Sequence, residues 1–312
     1  MSGLWLVVAS LGLLVLPGLG RSVGRSLLPR VWARLSAASL LAGFVGIVLA
    51  LVLLAAPTVL DSAGVPALAA ACKRMARTLN PGGPLVGWTS ALAAIALSAA
   101  FGAALMRTRR VQLDAHVEPW LGRHHHRTEY ELVVLPCPEL VALSVPDPPQ
   151  VIISEGLVAA LPSDQLEAVL DHEAAHLTHR HSRYLLLLAG LRGALGWLPP
   201  MNRSAHALHV AVEQWADHDA CRRASGGPQA VHAALVTVAH AAVAAPALTT
   251  FSAVDTLVER LEALQYPAPR ARVLPRAVQA PAVALGTLAG LSVAAWLSQA
   301  HMMLAMSGLC RL

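Results

Sequence analysis

The stretch from Leu35 to Pro57 contains no charged residue. As a helix rising about 1.5 Å per residue it would reach over 30 Å, the thickness of a bilayer's hydrocarbon core. Such a run must lie in lipid or be enclosed by other apolar surface, and the chain repeats the demand. A first run covers Leu4 to Leu19, a third covers Leu85 to Met106, and a fourth covers Ala277 to Met306, interrupted mainly by Gln299 and His301. With 56% hydrophobic and 13% charged residues and a mean hydropathy of +0.57, the whole is too apolar for an ordinary soluble enzyme. A membrane protein dominated by helices, with about four spans, is expected.

Basic residues orient it. Arg21, Arg25, Arg30 and Arg34 follow the first run, Arg107, Arg109 and Arg110 follow the third, and Arg270, Arg272 and Arg276 precede the fourth. The positive-inside rule places these clusters in the cytosol and residues 58 to 84 outside, although Lys73, Arg74 and Arg77 in that loop run against it. No basic residue precedes the first run, so a retained helix is expected rather than a cleaved signal. The expected organisation is a membrane domain over 1–110, a polar domain over 111–276 facing the cytosol, and a last span with a short tail over 277–312. A multi-pass protein of a bacterial plasma membrane fits this pattern. The net charge of +5 does not gather on one face, so the lipid bilayer is the expected partner and direct nucleic-acid binding is not.

Within the polar domain, the runs 129–136, 139–145 and 149–154 are enriched in β-branched residues and broken by prolines, which predicts a small sheet. After Pro162 the period becomes helical. Ser163 is a candidate N-cap, Asp164 suits the positive helix start, and Leu166, Val169 and Leu170 form the apolar stripe. The run Tyr184 to Leu198 is too short to span and is expected to be a core or membrane-grazing helix, with further helices over 203–224, 228–244 and 254–264. The fold class is therefore a mainly α membrane protein with an α+β domain between the third and fourth spans.

The helix after Pro162 carries LDHEAAHLTH, residues 170 to 179. Residues four apart share a helical face, so His172 and His176 can both turn a ring nitrogen to one metal ion, with Glu173 close enough to reach a water there. Zinc lowers the pKa of such a water towards about 7, and a carboxylate can take its proton as the oxygen attacks a peptide carbonyl. With 14 His and 10 Glu in 312 residues, chance alone gives this spacing in roughly 2% of such chains, so its surroundings must carry the argument. They include VEQWADHDA, residues 212 to 220, where Glu213 and Asp217 share a predicted helical face. Glu213 could be the third metal ligand and Asp217 could accept the other ring N–H of a ligand histidine, with His218 a weaker competitor.

These segments, with LVERLEAL at 257–264, resemble the integral-membrane gluzincin peptidases, which combine a helical HExxH, a downstream ExxxD and a closing helix bearing an arginine. The likeness covers residues 149 to 264. It implies zinc as the cofactor, His172, His176 and Glu213 as metal ligands, Glu173 as general base and Asp217 behind the ligands. Three apolar runs before the motif are similar to the layout of the BlaR/MecR-type antirepressor peptidases, implying cleavage of a protein substrate such as a cytosolic transcriptional repressor in signal transduction. HtpX-type quality-control peptidases, with two initial spans, are the alternative, and a membrane sensor with a purely structural zinc site is a third. Unlike the BlaR/MecR receptors, the chain shows no external penicillin-binding sensor domain after the fourth run, which argues against a β-lactam trigger.

Other side chains invite a reading. His124, His125 and His126 are expected in a loop without metal, ahead of a strand. His179 and His181 are expected at the surface or behind the ligands rather than on the metal. Arg260 could lie near the site or merely pair with a nearby acid, and no catalytic role is assigned to it. Cys137 and Cys221 fall in the polar domain and are expected as buried thiols, whereas Cys72 and Cys310 fall on the outer side and form a candidate disulfide.

Overall fold

The structure is a computed structural model and describes residues 2–20, 24, 27–64, 83–114, 122–244 and 256–265. The first apolar run forms helix α1 (Ser2–Leu19), the second lies within α2 (Pro29–Ser62) and the third within α3 (Gly83–Asp114). Among the described residues, α2 and α3 are long and apolar enough to cross a membrane, whereas the apolar helix Val7–Leu19 is shorter than that. The expected fourth span, the candidate cysteine pair Cys72 and Cys310, and the basic residues of the outer loop lie outside the described residues.

Four strands follow: β1 (Arg123–His126), β2 (Glu131–Leu135), β3 (Ala142–Pro146) and β4 (Pro149–Ser154). They form one sheet in the order β1-β2-β4-β3, with β2 and β4 parallel and both outer pairs antiparallel. Alternation assigns the faces. Leu132, Val134, Val151 and Ile153 point to one side, where they pack with Leu157, Leu161 and Leu170, while Val133, Val145 and Ile152 point to the other. The expectation of a loop at His124–His126 is corrected: these residues form the edge strand β1, with His124 opposite Val133 and His126 opposite Glu131. Nothing local in a charged, histidine-rich tetrapeptide signals a strand, and the pairing comes from the neighbouring strand.

Six helices complete the described chain: α4 (Glu155–Ala160), α5 (Ser163–Thr178), α6 (Ser182–Leu195), α7 (Pro199–Arg223), α8 (Gly227–Ala244) and α9 (Leu257–Gln265). At the start of α5 Pro162, not Ser163, occupies the N-cap position, and no side chain caps the helix. Helix α5 lies against the sheet through Leu170 and, on its other side, against α7. Helix α7 is the centre of the assembly. It packs on α5, α6, α8 and α9, and also on the two N-terminal helices α1 and α2.

One continuous core therefore runs from the apolar helices into the α+β region. Leu14 of α1, Trp32, Leu40 and Phe44 of α2, Leu188 and Leu191 of α6, and Leu208, Val212 and Trp215 of α7 belong to a single buried cluster. The amide of Gly18 donates to the Ser204 hydroxyl at 3.0 Å, fixing the end of α1 to α7. The apolar segment expected to be core or membrane-grazing is α6, seated closely on α3. A Cβ on Gly190 would lie 2.6 Å from the Phe101 ring, and that ring is itself stacked on Phe44 with centroids 4.5 Å apart.

Candidate metal centre

Helix α5 places His172 and His176 one turn apart, so that their Nε2 atoms lie 3.1 Å from each other. Helix α7 crosses opposite and brings in Glu213, with Oε2 3.5 Å from His172 Nε2 and Oε1 3.8 Å from His176 Nε2. The three side chains thus offer ligand atoms within 4.8 Å of one another, and His218 is outside this group. A tetrahedral ion bound at about 2.0–2.1 Å spaces its ligand atoms about 3.3 Å apart, so this triangle fits zinc with little movement. The donor set fits as well: two imidazoles and one carboxylate leave a fourth position for water or substrate.

Each member of the triangle is held from behind. His172 Nδ1–H donates to Asp217 Oδ1 at 2.9 Å, which directs its Nε2 lone pair to the centre. Asp217 is buried and receives a fork from Arg260 of α9, with Nε to Oδ2 at 2.8 Å and Nη2 to Oδ1 at 2.6 Å. Arg260 Nη1 also reaches Glu213 Oε2 at 3.1 Å. Helix α9 is kept in place by His206 Nε2 on Glu259 Oε1 (3.0 Å) and by Gln214 Nε2 donating to the Glu259 carbonyl (3.1 Å). Behind His176 stands His181, fully buried, with the two Nδ1 atoms 3.1 Å apart. His209, one turn before Glu213, has its Nε2 3.7 Å from Glu213 Oε1.

Burial alone would favour neutral carboxyls here, but the Arg260 charge overcomes it and holds Glu213 well below the usual carboxylate range and Asp217 below its own. Arg260 is in turn raised, burial opposing and Asp217 prevailing. For His172 burial acts against the charged ring, yet the hydrogen bonds to Asp217 and Glu213 outweigh it and lift its pKa to about 9. His176, His181 and His209 move the other way, chiefly through burial, and His181 is pushed down to about 2. Glu173 lies half-buried on the same helical turn, near enough to act electrostatically on both His176 and Arg260.

Residues 121–254 match the model of peptidase family M48. That family consists of zinc metallopeptidases, and the matched segment contains His172, Glu173, His176, Glu213 and Asp217. No curated protein and no solved structure matches the chain. The M48 match supports a metallopeptidase and stops short of Arg260, which the structure nevertheless draws to the donor triangle from 43 residues beyond Asp217. A cavity of about 890 Å³ between the start of α2, α7 and α9 has Asp217 and Arg260 in its wall but none of the three converging donors. The chemistry is therefore located by the donor triangle and not by that cavity.

Sequence reasoning picked out five residues that meet here: His172, Glu173, His176, Glu213 and Asp217. The local sequence pattern assigns no role to Arg260 or Trp215 and does not distinguish His179 from His181. The structure separates that pair. His179 binds Asp219 at 2.5 Å and stacks on Trp215, whereas His181 turns inward to His176. The visible signal for Arg260 is its place on a short amphipathic helix, a solitary cation among apolar residues on the face that becomes buried.

Proposed function

We propose that this chain is a membrane-bound zinc-dependent endopeptidase that cleaves a cytosolic regulatory protein, with a transcriptional repressor as the leading substrate class. The observation that carries the reading is the convergence of His172, His176 and Glu213 with Glu173 on the adjoining helical position. The M48 match supports peptide hydrolysis, and the two long apolar helices packed into the same core as α7 support attachment to a membrane.

Zinc bound by His172, His176 and Glu213 would supply Lewis acidity, making a water nucleophilic near neutral pH and polarising the scissile carbonyl. The chain's own residues do the rest. Glu173 takes the proton of the attacking water and returns it to the leaving nitrogen. Asp217 holds His172 in the tautomer with Nδ1 protonated, and Arg260 keeps the buried Asp217 and the partly buried Glu213 ionised.

A second reading, quality control of membrane proteins, draws on the direct packing of α1 and α2 against the site-bearing helix α7. Mapping new protein termini in cytosolic and membrane fractions of cells expressing wild type or Glu173→Ala separates the two. One or two discrete cuts in a DNA-binding protein support the repressor reading; many cuts in membrane proteins replace it with quality control. Identical termini in both strains would leave a zinc-braced sensor as the better account.

A further inference from the structure

The end of α5 is built in an unusual way. Its last turn closes with the Arg180 amide on the Leu177 carbonyl at 3.0 Å and the His181 amide on the His176 carbonyl at 2.9 Å. This is the six-to-one, five-to-two pattern that terminates helices through a left-handed residue, a position glycine normally takes. Here it is held by Arg180 at φ 52, the one non-glycine residue with positive φ among the described residues. A side chain in that region costs about 1–2 kcal/mol, and such strain persists where the surroundings fix the backbone. The reversal has one clear product: it folds the ring of His181 back onto the ring of His176, with centroids 4.8 Å apart at 86°.

The hydrogen-bonding logic follows from position. His176 turns Nε2 to the donor triangle, so its proton sits on Nδ1 and points at His181 Nδ1, 3.1 Å away. His181 can accept only if its own proton is on Nε2, and that atom is buried without a hydrogen-bond partner among the described residues. An orphaned buried donor costs about 1–3 kcal/mol, so this arrangement is not what stability alone would select. The ring is also clamped. Trp215 packs on it at 4.8 Å between centroids, Tyr184 stands edge-on at 6.1 Å, and Arg34 of α2 lies 5.2 Å above the Trp215 ring.

We infer that His181 is a positioning residue for the metal centre: as a neutral Nε2–H tautomer it accepts the Nδ1 proton of His176 and so fixes the tautomer and ring plane of that ligand. The two histidine ligands are then supported unequally. His172 leans on a carboxylate and is made more basic, whereas His176 leans on a neutral ring locked by Trp215. The inference rests on the zinc-peptidase reading of His172, His176 and Glu213. It adds that the support of His176 is physically joined, through Trp215 and Arg34, to a helix long enough to cross a membrane.

The test compares zinc affinity of the full chain in detergent micelles for wild type, His181→Leu and His181→Asn, with melting of the zinc-free proteins as a control on folding. Asparagine places an amide oxygen close to the position of Nδ1, and leucine fills the space without an acceptor. Loss of a residue supporting a ligand histidine typically weakens metal binding 10- to 100-fold. His181→Leu is expected to fall in that range, and His181→Asn to stay within about threefold of wild type. Leucine and asparagine variants of equal affinity would overturn the inference. If wild type binds no zinc, or binds it equally after His172→Ala, the metal-centre reading itself fails. A second measurement does not depend on any variant folding. Ring-nitrogen shifts of the 15N-histidine-labelled, zinc-loaded protein should give His181 as Nε2–H and His176 as Nδ1–H, and a protonated Nδ1 on His181 would overturn the assignment.

Discussion

Replacing Arg260 by methionine removes the guanidinium that forks Asp217 and reaches Glu213, and leaves the buried Asp217 carboxylate and the partly buried Glu213 carboxylate without it. Breaking a buried pair by deleting one partner costs about 3–5 kcal/mol, because the remaining charge has lost its compensation and water cannot reach it. In the zinc-free protein the proton on His172, whose pKa is lifted to about 9, is the nearest remaining positive charge. A zinc ion brings two charges to the same place. The loss in zinc-loaded protein should therefore shrink to about 2 kcal/mol, the scale of hydrogen bonds made to one charged acceptor. Urea-dependent pulse proteolysis of the full chain in micelles, with zinc chelated and with zinc in excess, gives both numbers. Arg260→Lys should fall between, keeping the charge but losing the fork. Equal losses with and without zinc, or a loss under about 1 kcal/mol in both, would refute the electrostatic account.

Other consequences are as direct. Glu173→Ala should abolish cleavage and leave zinc content at the wild-type level, checked by metal analysis beside a peptide assay; retained turnover would remove Glu173 from its role. Zinc-free stability should depend on pH with a definite sign. The raised His172 pKa contributes stability fully below its ordinary value of 6.5 and loses it as pH rises through about 9, while the lowered Glu213 and Asp217 contribute above the carboxylate range and lose it in acid. Unfolding across a pH series should thus show a decline from 6.5 to 9 that zinc abolishes, and a flat zinc-free profile would contradict it. Gly190→Ala should destabilise by about 1–3 kcal/mol, since the new methyl meets Phe101 and that ring is backed by Phe44. Gly102→Ala, with no described residue within reach of the new methyl, should be neutral or stabilise by up to about 1 kcal/mol, both variants read by thermal melting.

Much of the site was legible because its logic is local. The four-residue spacing of His172 and His176 and of Glu213 and Asp217 puts each pair on one helical face whatever surrounds it. The strands β2 and β4 announced themselves through Leu132 to Val134 and Val151 to Ile153, where branched side chains serve both faces of a sheet. What sequence did not disclose depends on distant partners. Arg260 is informative only once α9 lies across α7, and His181 only once Arg180 reverses the chain. Strand β1 exists because β2 offers it an edge. The apolar runs posed a different problem: Leu40 and Phe44 satisfy a bilayer and a protein core equally well, and hydropathy cannot tell that part of α2 packs on α6 and α7. The same ambiguity hid the docking of α1 through Gly18 and Ser204.

The central claim is that His172, His176 and Glu213 form a zinc centre at which Glu173 drives peptide hydrolysis. Cleavage of an unfolded protein substrate by the purified full chain, measured as isolated, after chelation, after zinc is restored, and in Glu173→Ala, tests it most directly. The account predicts cleavage that disappears with chelation, returns with zinc, and is missing in the variant even when zinc is bound. Cleavage that survives chelation, or that Glu173→Ala leaves intact, would contradict it.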